Sequence, residues 1–165
     1  MSKQNLRAIT LFAPLGLAVL LSPGLTAAEE DGNRWEVESS SYRAYLGVVP
    51  ASLINRKPVL VDGDKDLHGG AENRHADSQH VMVAIYRKAG NARVTNATVI
   101  AEVESGRLLG GSEQEKPLER MATTGGVTYG NYFAMPESGE YEIEISVYEP
   151  DREGKEELTL RYIRP

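Results

Sequence analysis

The chain has 165 residues, no cysteine and a formal net charge of −6. The lack of cysteine excludes disulfides, zinc sites built from thiolates, and the lipid anchor of a lipoprotein. The acidic balance disfavours binding to nucleic acid or to anionic membranes. The length suits one domain, whose stability must come from its hydrophobic core.

The first 28 residues have the layout of a secretory signal peptide. Lys3 and Arg7 precede the apolar block "AITLFAPLGLAVLL", and the small residues of "SPGLTAA" follow it. We predict cleavage after Ala28 and a periplasmic protein that has no membrane span once the signal is removed. An uncleaved anchor is the alternative, although the apolar block is short for a span and contains Pro14.

Residues 29–41 are predicted to be a flexible acidic lead-in or a short first strand, and residues 42–165 to form the domain. "YRAYLGVVP" can form a strand that ends at Pro50. The segment 55–79 is polar, charged and rich in Gly, His and Asp. It predicts one long loop, and loops of this length are usually functional or disordered.

Alternating apolar and polar residues predict the remaining strands. The predicted strands are "HVMVAIYR", "ATVIAEVE", "LERMA", "TYGNYFAM", "EYEIEISVYE" and "EELTLRYIR". Their expected inward faces are Val81, Val83 and Ile85; Ala97, Val99, Ala101 and Val103; Tyr141, Ile143, Ile145 and Val147; and Leu158, Leu160 and Tyr162. No stretch has helical periodicity. About seven short strands separated by turns predict an all-β, immunoglobulin-like antiparallel β-sandwich.

The segment "ESGEYEI" sharpens this prediction. Immunoglobulin-type domains place a tyrosine corner two residues before the second core cysteine. Tyr141 would be that corner residue, and Ile143 would stand where the cysteine stands. The two sheets are therefore expected to meet in a purely apolar core.

The motifs that carry catalysis are missing. There is no Gly-x-Ser-x-Gly elbow and no cysteine nucleophile. The glycine pairs at 110–111 and 125–126 lack the lysine and the strand-to-helix context of a phosphate-binding loop. We therefore expect no enzymatic activity.

The histidines His68, His75 and His80 all lie in or beside the long loop, and they are the only histidines of the chain. Imidazole with a thioether suits copper, whereas imidazole with carboxylates suits iron, zinc or manganese. One interpretation is a metal site at this loop. The other is three solvated histidines in a polar segment.

The stretch "MATTGGVTYGNYFAMPESGEYEIEI" resembles the periplasmic accessory proteins of bacterial high-affinity iron transport, which are immunoglobulin-like dimers that bind copper and iron. The positions that keep the family pattern are Met121, Gly126, Tyr129, Gly130, Met135, Pro136, Gly139 and Tyr141. The resemblance implies that Met121 is the copper-binding methionine and that His80 is a second ligand.

The sequence departs from this family at three places. Thr128 stands where the family has a histidine before Tyr-Gly, and Gly125 stands where it has an acidic residue. The late loop "EPDREGKEE" has no histidine. His68, or less readily His75, would then have to supply the missing ligand from the long loop.

Two functional hypotheses follow. The first is a periplasmic protein that binds or delivers copper or iron through His80 and Met121, exchanging the ion with an inner-membrane transporter or an assembly factor, alone or as a homodimer. The alternative is a non-metal interaction module that docks on a membrane transporter or assembly complex, or pairs with itself, through a sheet edge or its acidic strand face.

Overall fold

The computed structural model describes residues 32–54, 77–106 and 111–165. Its elements in chain order are β1 (Glu36–Glu38), β2 (Tyr42–Pro50), α1 (Ala51–Ile54), β3 (Ser78–Arg87), β4 (Thr98–Ser105), β5 (Glu113–Thr123), β6 (Gly126–Ala134), β7 (Gly139–Tyr148) and β8 (Glu156–Arg164). The predicted all-β class is confirmed, with eight strands in the described residues where about seven were expected.

The strands pair in the order β1-β2-β3-β6-β5-β4-β7-β8, and every pair is antiparallel. Strand β5 belongs to both layers of the sandwich. Up to Leu118 it pairs with β4, and from Glu119 onward it pairs with β6. We call β1, β2, β3, β6 and the second half of β5 the first sheet. The second sheet is the first half of β5 with β4, β7 and β8.

Side chains replace the backbone ladder where β5 leaves β6. The amide of Gln114 donates to the carbonyl of Ala134 at 2.7 Å and accepts from its N–H at 3.0 Å. Lys116 Nζ donates to the carbonyl of Tyr132 at 2.7 Å, and Asn131 Nδ2 donates to that of Pro117 at 2.7 Å. The end of β6 therefore keeps its hydrogen bonds although its neighbour has crossed to the other layer.

The core fills the space between the two sheets. Each predicted inward face is buried in it, with Ala97 packed at its margin. Val81, Val83 and Ile85 are fully buried on β3, and Ile143 and Ile145 are fully buried on β7. The period-two alternation of these strands explains this, because successive side chains point to opposite faces of a sheet.

The predicted tyrosine corner is present. The hydroxyl of Tyr141 donates to the carbonyl of Glu137 at 3.0 Å and lies 3.2 Å from its N–H, which donates to it. Ile143 lies two residues further on in the apolar core, at the predicted position. The turn before β7 is thereby tied to the strand that it starts.

Three elements differ from the expectation, and one of them is the one-turn helix α1, which no periodicity predicted. Strand β5 begins at Glu113, five residues before the predicted strand "LERMA", because the polar residues of "EQEKP" hide its alternation. Strand β1 lies in the predicted lead-in, so the short-strand alternative is the one observed. A bridge between Arg34 and Arg161 joins the segment before β1 to β8.

Two carboxylates at one end of the sandwich are held by donors from distant strands. Glu149 is 7% exposed and accepts hydrogen bonds from the Tyr42 hydroxyl at 2.7 Å and from Arg87 Nε at 3.1 Å. Glu156 accepts from Ser39 Oγ at 2.6 Å and from the N–H of Ser41 at 3.0 Å. These contacts tie the turn before β2, the start of β2 and the end of β3 to the residue after β7 and to the start of β8.

Several predictions fall outside the described residues: the signal peptide and its cleavage site, the long loop up to residue 76, and with it His68 and His75. They stay predictions. Within the described ranges, no helix is long and apolar enough to span a membrane.

Candidate metal centre

His80 and Met121, the two ligands implied by the resemblance, lie on the outer face of the first sheet. His80 is on β3, between core residues whose side chains point the other way, and Met121 is on the second half of β5. Both are buried, at 5% and 8% exposure, although neither belongs to the core cluster. Burial on the side of a sheet that faces away from the core is unusual and marks this patch.

The two side chains meet over Gly130 of β6, the strand between them. A Cβ built on Gly130 would lie 2.7 Å from Met121 Cε and 3.1 Å from His80 Nε2. The ends of the thioether and of the imidazole therefore fill the space that a side chain at position 130 would take. A glycine inside a strand often marks a close approach of this kind.

Tyr132 packs against the imidazole. It lies directly opposite His80 in the register of β3 and β6, and their ring centroids are 4.8 Å apart at an interplanar angle of 42°. Tyr132 is 3% exposed, so its ring is itself held in place by packing. The contact restricts the orientation of the His80 ring, as a preorganised ligand requires.

The neighbouring polar atoms also bear on the site. Thr128 lies opposite Met121 on β6, and in the part of the chain that the structure describes its Oγ1 is buried without a hydrogen-bond partner. A buried polar atom without a partner calls for an explanation, such as a water or an ion. Glu119 lies opposite Gly130 on β5, half-buried on the same face as Met121.

The donor chemistry fits copper better than iron. One imidazole and one thioether are a soft set, which suits copper. Among the described residues, no group of three or more His, Cys, Asp or Glu side chains lies together. The residues present therefore fit a copper ion over Gly130, and the role of His80 and Met121 as ligands stays a prediction.

Gly130 belongs to the family pattern but was not predicted as part of the site, and Glu119 was not predicted as a site residue. A signal for both was available. Gly130 interrupts the strand "TYGNYFAM", and Glu119 precedes Met121 by two residues, which places both on one face of a strand. The late loop that lacks histidine is a turn around residues 150–154, next to β8.

No protein-family model matches the chain, and no curated protein sequence matches it. Solved structures do share its fold. The copper-reconstituted P19 protein of Campylobacter jejuni is 13% identical, with a TM-score of 0.59, over 81% of this chain and 95% of its own. A copper-bound variant of FetP from uropathogenic Escherichia coli is 13% identical, with a TM-score of 0.59, over 81% and 96%.

A DUF4426 family protein of Pseudomonas aeruginosa is also similar. It is 15% identical, with a TM-score of 0.50, over 77% of this chain and 94% of its own. At these identities the likeness shows a shared fold. The resemblance drawn from residues 121–145 is confirmed at that level.

Proposed function

We propose that the mature chain is a periplasmic copper-binding protein that carries or delivers the ion and has no catalytic activity. The observation that carries this proposal is the meeting of His80 Nε2 and Met121 Cε over Gly130. P19 and the FetP variant share this fold, and their structures were determined with copper bound, which supports the proposal. The ion is cargo, so the site needs reversible ligation and no reaction.

Each residue has a defined task in this proposal. The Nε2 atom of His80 and the thioether sulfur of Met121 are the ligands. Tyr132 holds the imidazole plane through its ring contact. The burial of all three side chains limits access of water, which slows loss of the ion. Two protein ligands do not complete the coordination of a copper ion, so a further ligand is needed. His68 or His75 would supply that ligand from the long loop.

The proposal extends to location and partners. The signal-peptide layout of residues 1–28 directs the chain to the periplasm. There the ion would pass to or from an inner-membrane transporter or an assembly factor, and the protein would act alone or as a homodimer. The glutamate-rich outer face of the second sheet lies on the opposite side of the sandwich from His80 and Met121, so a partner could approach the metal site without meeting these glutamates.

The test is metal affinity under competition. The mature protein from Glu29, without a histidine tag, is titrated with Cu(I), Cu(II), Fe(II) and Zn(II) in the presence of competing chelators. We expect one-to-one copper binding that falls at least about tenfold, or ~1.4 kcal/mol, in Met121→Leu and in His80→Gln. The double variant should lose specific binding.

Matched controls separate the site from the loop. A synthetic peptide of residues 55–76 contains His68 and His75 alone, and His68→Ala and His75→Ala test each histidine in the whole chain. Copper affinity no higher than that of the peptide, or unchanged in the double variant, contradicts the proposal. The non-metal interaction module would then be the hypothesis to pursue, by measuring whether the chain forms a metal-independent dimer.

A further inference from the structure

Met82 lies between two glycines on the same outer face as His80 and Met121. It is directly opposite Gly47 of β2 and directly opposite Gly130 of β6. Neither neighbour has a side chain, so the face has a trough on both sides of Met82. Paired residues in adjacent strands point to the same face, which places the methionine beside the meeting point of the two predicted ligands.

The methionine occupies the Gly47 side of this trough. A Cβ on Gly47 would lie 3.0 Å from Met82 Cγ and 3.5 Å from its Sδ. The other side, over Gly130, holds Met121 Cε and His80 Nε2. Met82 therefore fills the space over Gly47, and Met121 and His80 fill the adjoining space over Gly130.

A rotation of Met82 alone can bring its sulfur to the Gly130 side. Adjacent strands lie about 4.8 Å apart, and a methionine side chain has three rotatable bonds. Met82 is half-buried, so it is less confined than Met121. No backbone movement is needed, because Met82 and Gly130 are already register partners.

We propose that Met82 is a third ligand and that the site selects Cu(I) through two thioethers and one imidazole. This inference rests on the proposed function of His80 and Met121 and extends it to a further residue and to the oxidation state. Thioethers are soft, uncharged ligands, which suit Cu(I). A set of uncharged ligands should bind the more highly charged Cu(II), or iron, more weakly than Cu(I).

Among the described residues, Glu119 is the candidate that competes with Met82, since it borders Gly130 from the β5 side. A carboxylate in the third position would favour harder ions. A site completed by Met82 should therefore prefer Cu(I), whereas a site completed by Glu119 should prefer Cu(II) or iron. Met82→Leu and Glu119→Gln are a matched pair, because each replaces one neighbour of Gly130 by a side chain of similar size.

The experiment measures Cu(I) and Cu(II) affinities of the tag-free secreted protein against chromophoric chelators. In Met82→Leu we expect Cu(I) affinity to fall at least about tenfold with Cu(II) affinity little changed. In Glu119→Gln we expect Cu(I) affinity to stay within about twofold. Circular dichroism checks that both variants keep their β-structure.

Copper-edge X-ray absorption supplies a second readout that does not depend on affinity. The Cu(I)-loaded wild type should show two sulfur ligands, and Met82→Leu should show one. An unchanged sulfur count or unchanged Cu(I) affinity in Met82→Leu overturns the inference, as does a tenfold loss in Glu119→Gln.

The result also separates this inference from the proposed function. If Met121→Leu and His80→Gln weaken copper binding but Met82→Leu does not, only the third ligand is wrong. If none of the three variants weakens it, the copper site itself is wrong and the inference falls with it.

Discussion

The two outer faces of the sandwich carry different chemistry. On the second sheet, glutamates stand in two register rows across β5, β4 and β7. The rows are Glu115, Glu102 and Glu144, and Glu113, Glu104 and Glu142. On the first sheet, the residues around Gly130 are one imidazole, two thioethers, a tyrosine ring and the carboxylate of Glu119, of which His80, Met121 and Tyr132 are buried.

Contact with water explains the composition of the second sheet's outer face but not the buried side chains on the first sheet's outer face. Glutamates that are exposed or half-buried belong on a water-facing sheet, although like charges directly opposite each other are mildly destabilising. Buried donors outside the core have no such explanation. The contrast favours the first sheet's outer face as the place of the proposed metal site.

The largest effect is expected from Gly130→Ala. The added Cβ would meet Met121 Cε at 2.7 Å and the carbonyl oxygen of Val81 at 3.0 Å, and backbone cannot move aside as a side chain can. We expect a loss of about 1–3 kcal/mol in the free energy of unfolding, measured in urea, together with loss of copper affinity. Gly32→Ala is the control, since a Cβ there has no neighbour within 4 Å. Wild-type stability and affinity in Gly130→Ala would show that the two ligands do not need this space.

A carboxylate held by donors should matter more than one in the glutamate rows. Glu149→Gln removes the charge that Tyr42 and Arg87 hydrogen-bond, so we expect a loss of about 2 kcal/mol in unfolding free energy. Glu104→Gln removes an exposed charge with like-charged neighbours and should cause no loss. Equal losses in the two variants, measured by urea denaturation, would contradict this difference.

The pH dependence of stability should distinguish Glu156 from Glu102. Burial acts to raise the pKa of Glu156, but hydrogen bonds from Ser39 and Ser41 outweigh it and lower the pKa from 4.5 to about 2. The stability that Glu156 contributes is therefore present above pH 4.5 and is lost as the pH falls towards 2. Unfolding in urea at several pH values should show a smaller acid loss in Glu156→Gln than in the wild type.

The contribution of Glu102 to the pH dependence of stability has the opposite sign to that of Glu156. Partial burial raises its pKa, and the carboxylates of Glu113 and Glu144 raise it further. Its charge costs stability at neutral pH, and that cost is relieved as the pH falls through its raised pKa. If Glu102→Gln and Glu156→Gln change the acid profile in the same direction, the assignment of one of them is wrong.

The smallest effect is expected from a charge reversal in the rows. Glu115→Lys would place a positive charge opposite Glu102, and we expect the melting temperature to rise by about 1–2 °C at low salt. High salt should remove the gain by screening. A fall in melting temperature at low salt would mean that repulsion across the rows is already relieved in the native protein.

Much of the fold could be predicted because its signals are local. Alternation alone identified the inward faces of β3, β4, β7 and β8, and "ESGEYEI" identified the tyrosine corner. The first half of β5 could not be predicted. Its polar residues serve the crossing between sheets, where Gln114 and Lys116 hydrogen-bond the backbone of β6.

The candidate site was predictable in part. Resemblance pointed to His80 and Met121, but the space over Gly130 and the place of Met82 beside it could not be read from the chain. These features depend on which strands are neighbours. Residues 47, 82 and 130 are far apart in sequence, and only the order β2-β3-β6 brings them into one row.

By itself the sequence determined the layered all-β architecture, the apolar core and the absence of cysteine chemistry, because each follows from residue type and short-range periodicity. Only the tertiary structure decided which strands lie side by side, and hence which donors meet. Pairing across distant segments depends on the whole core, and the meeting of an imidazole and a thioether over Gly130 is a consequence of that pairing.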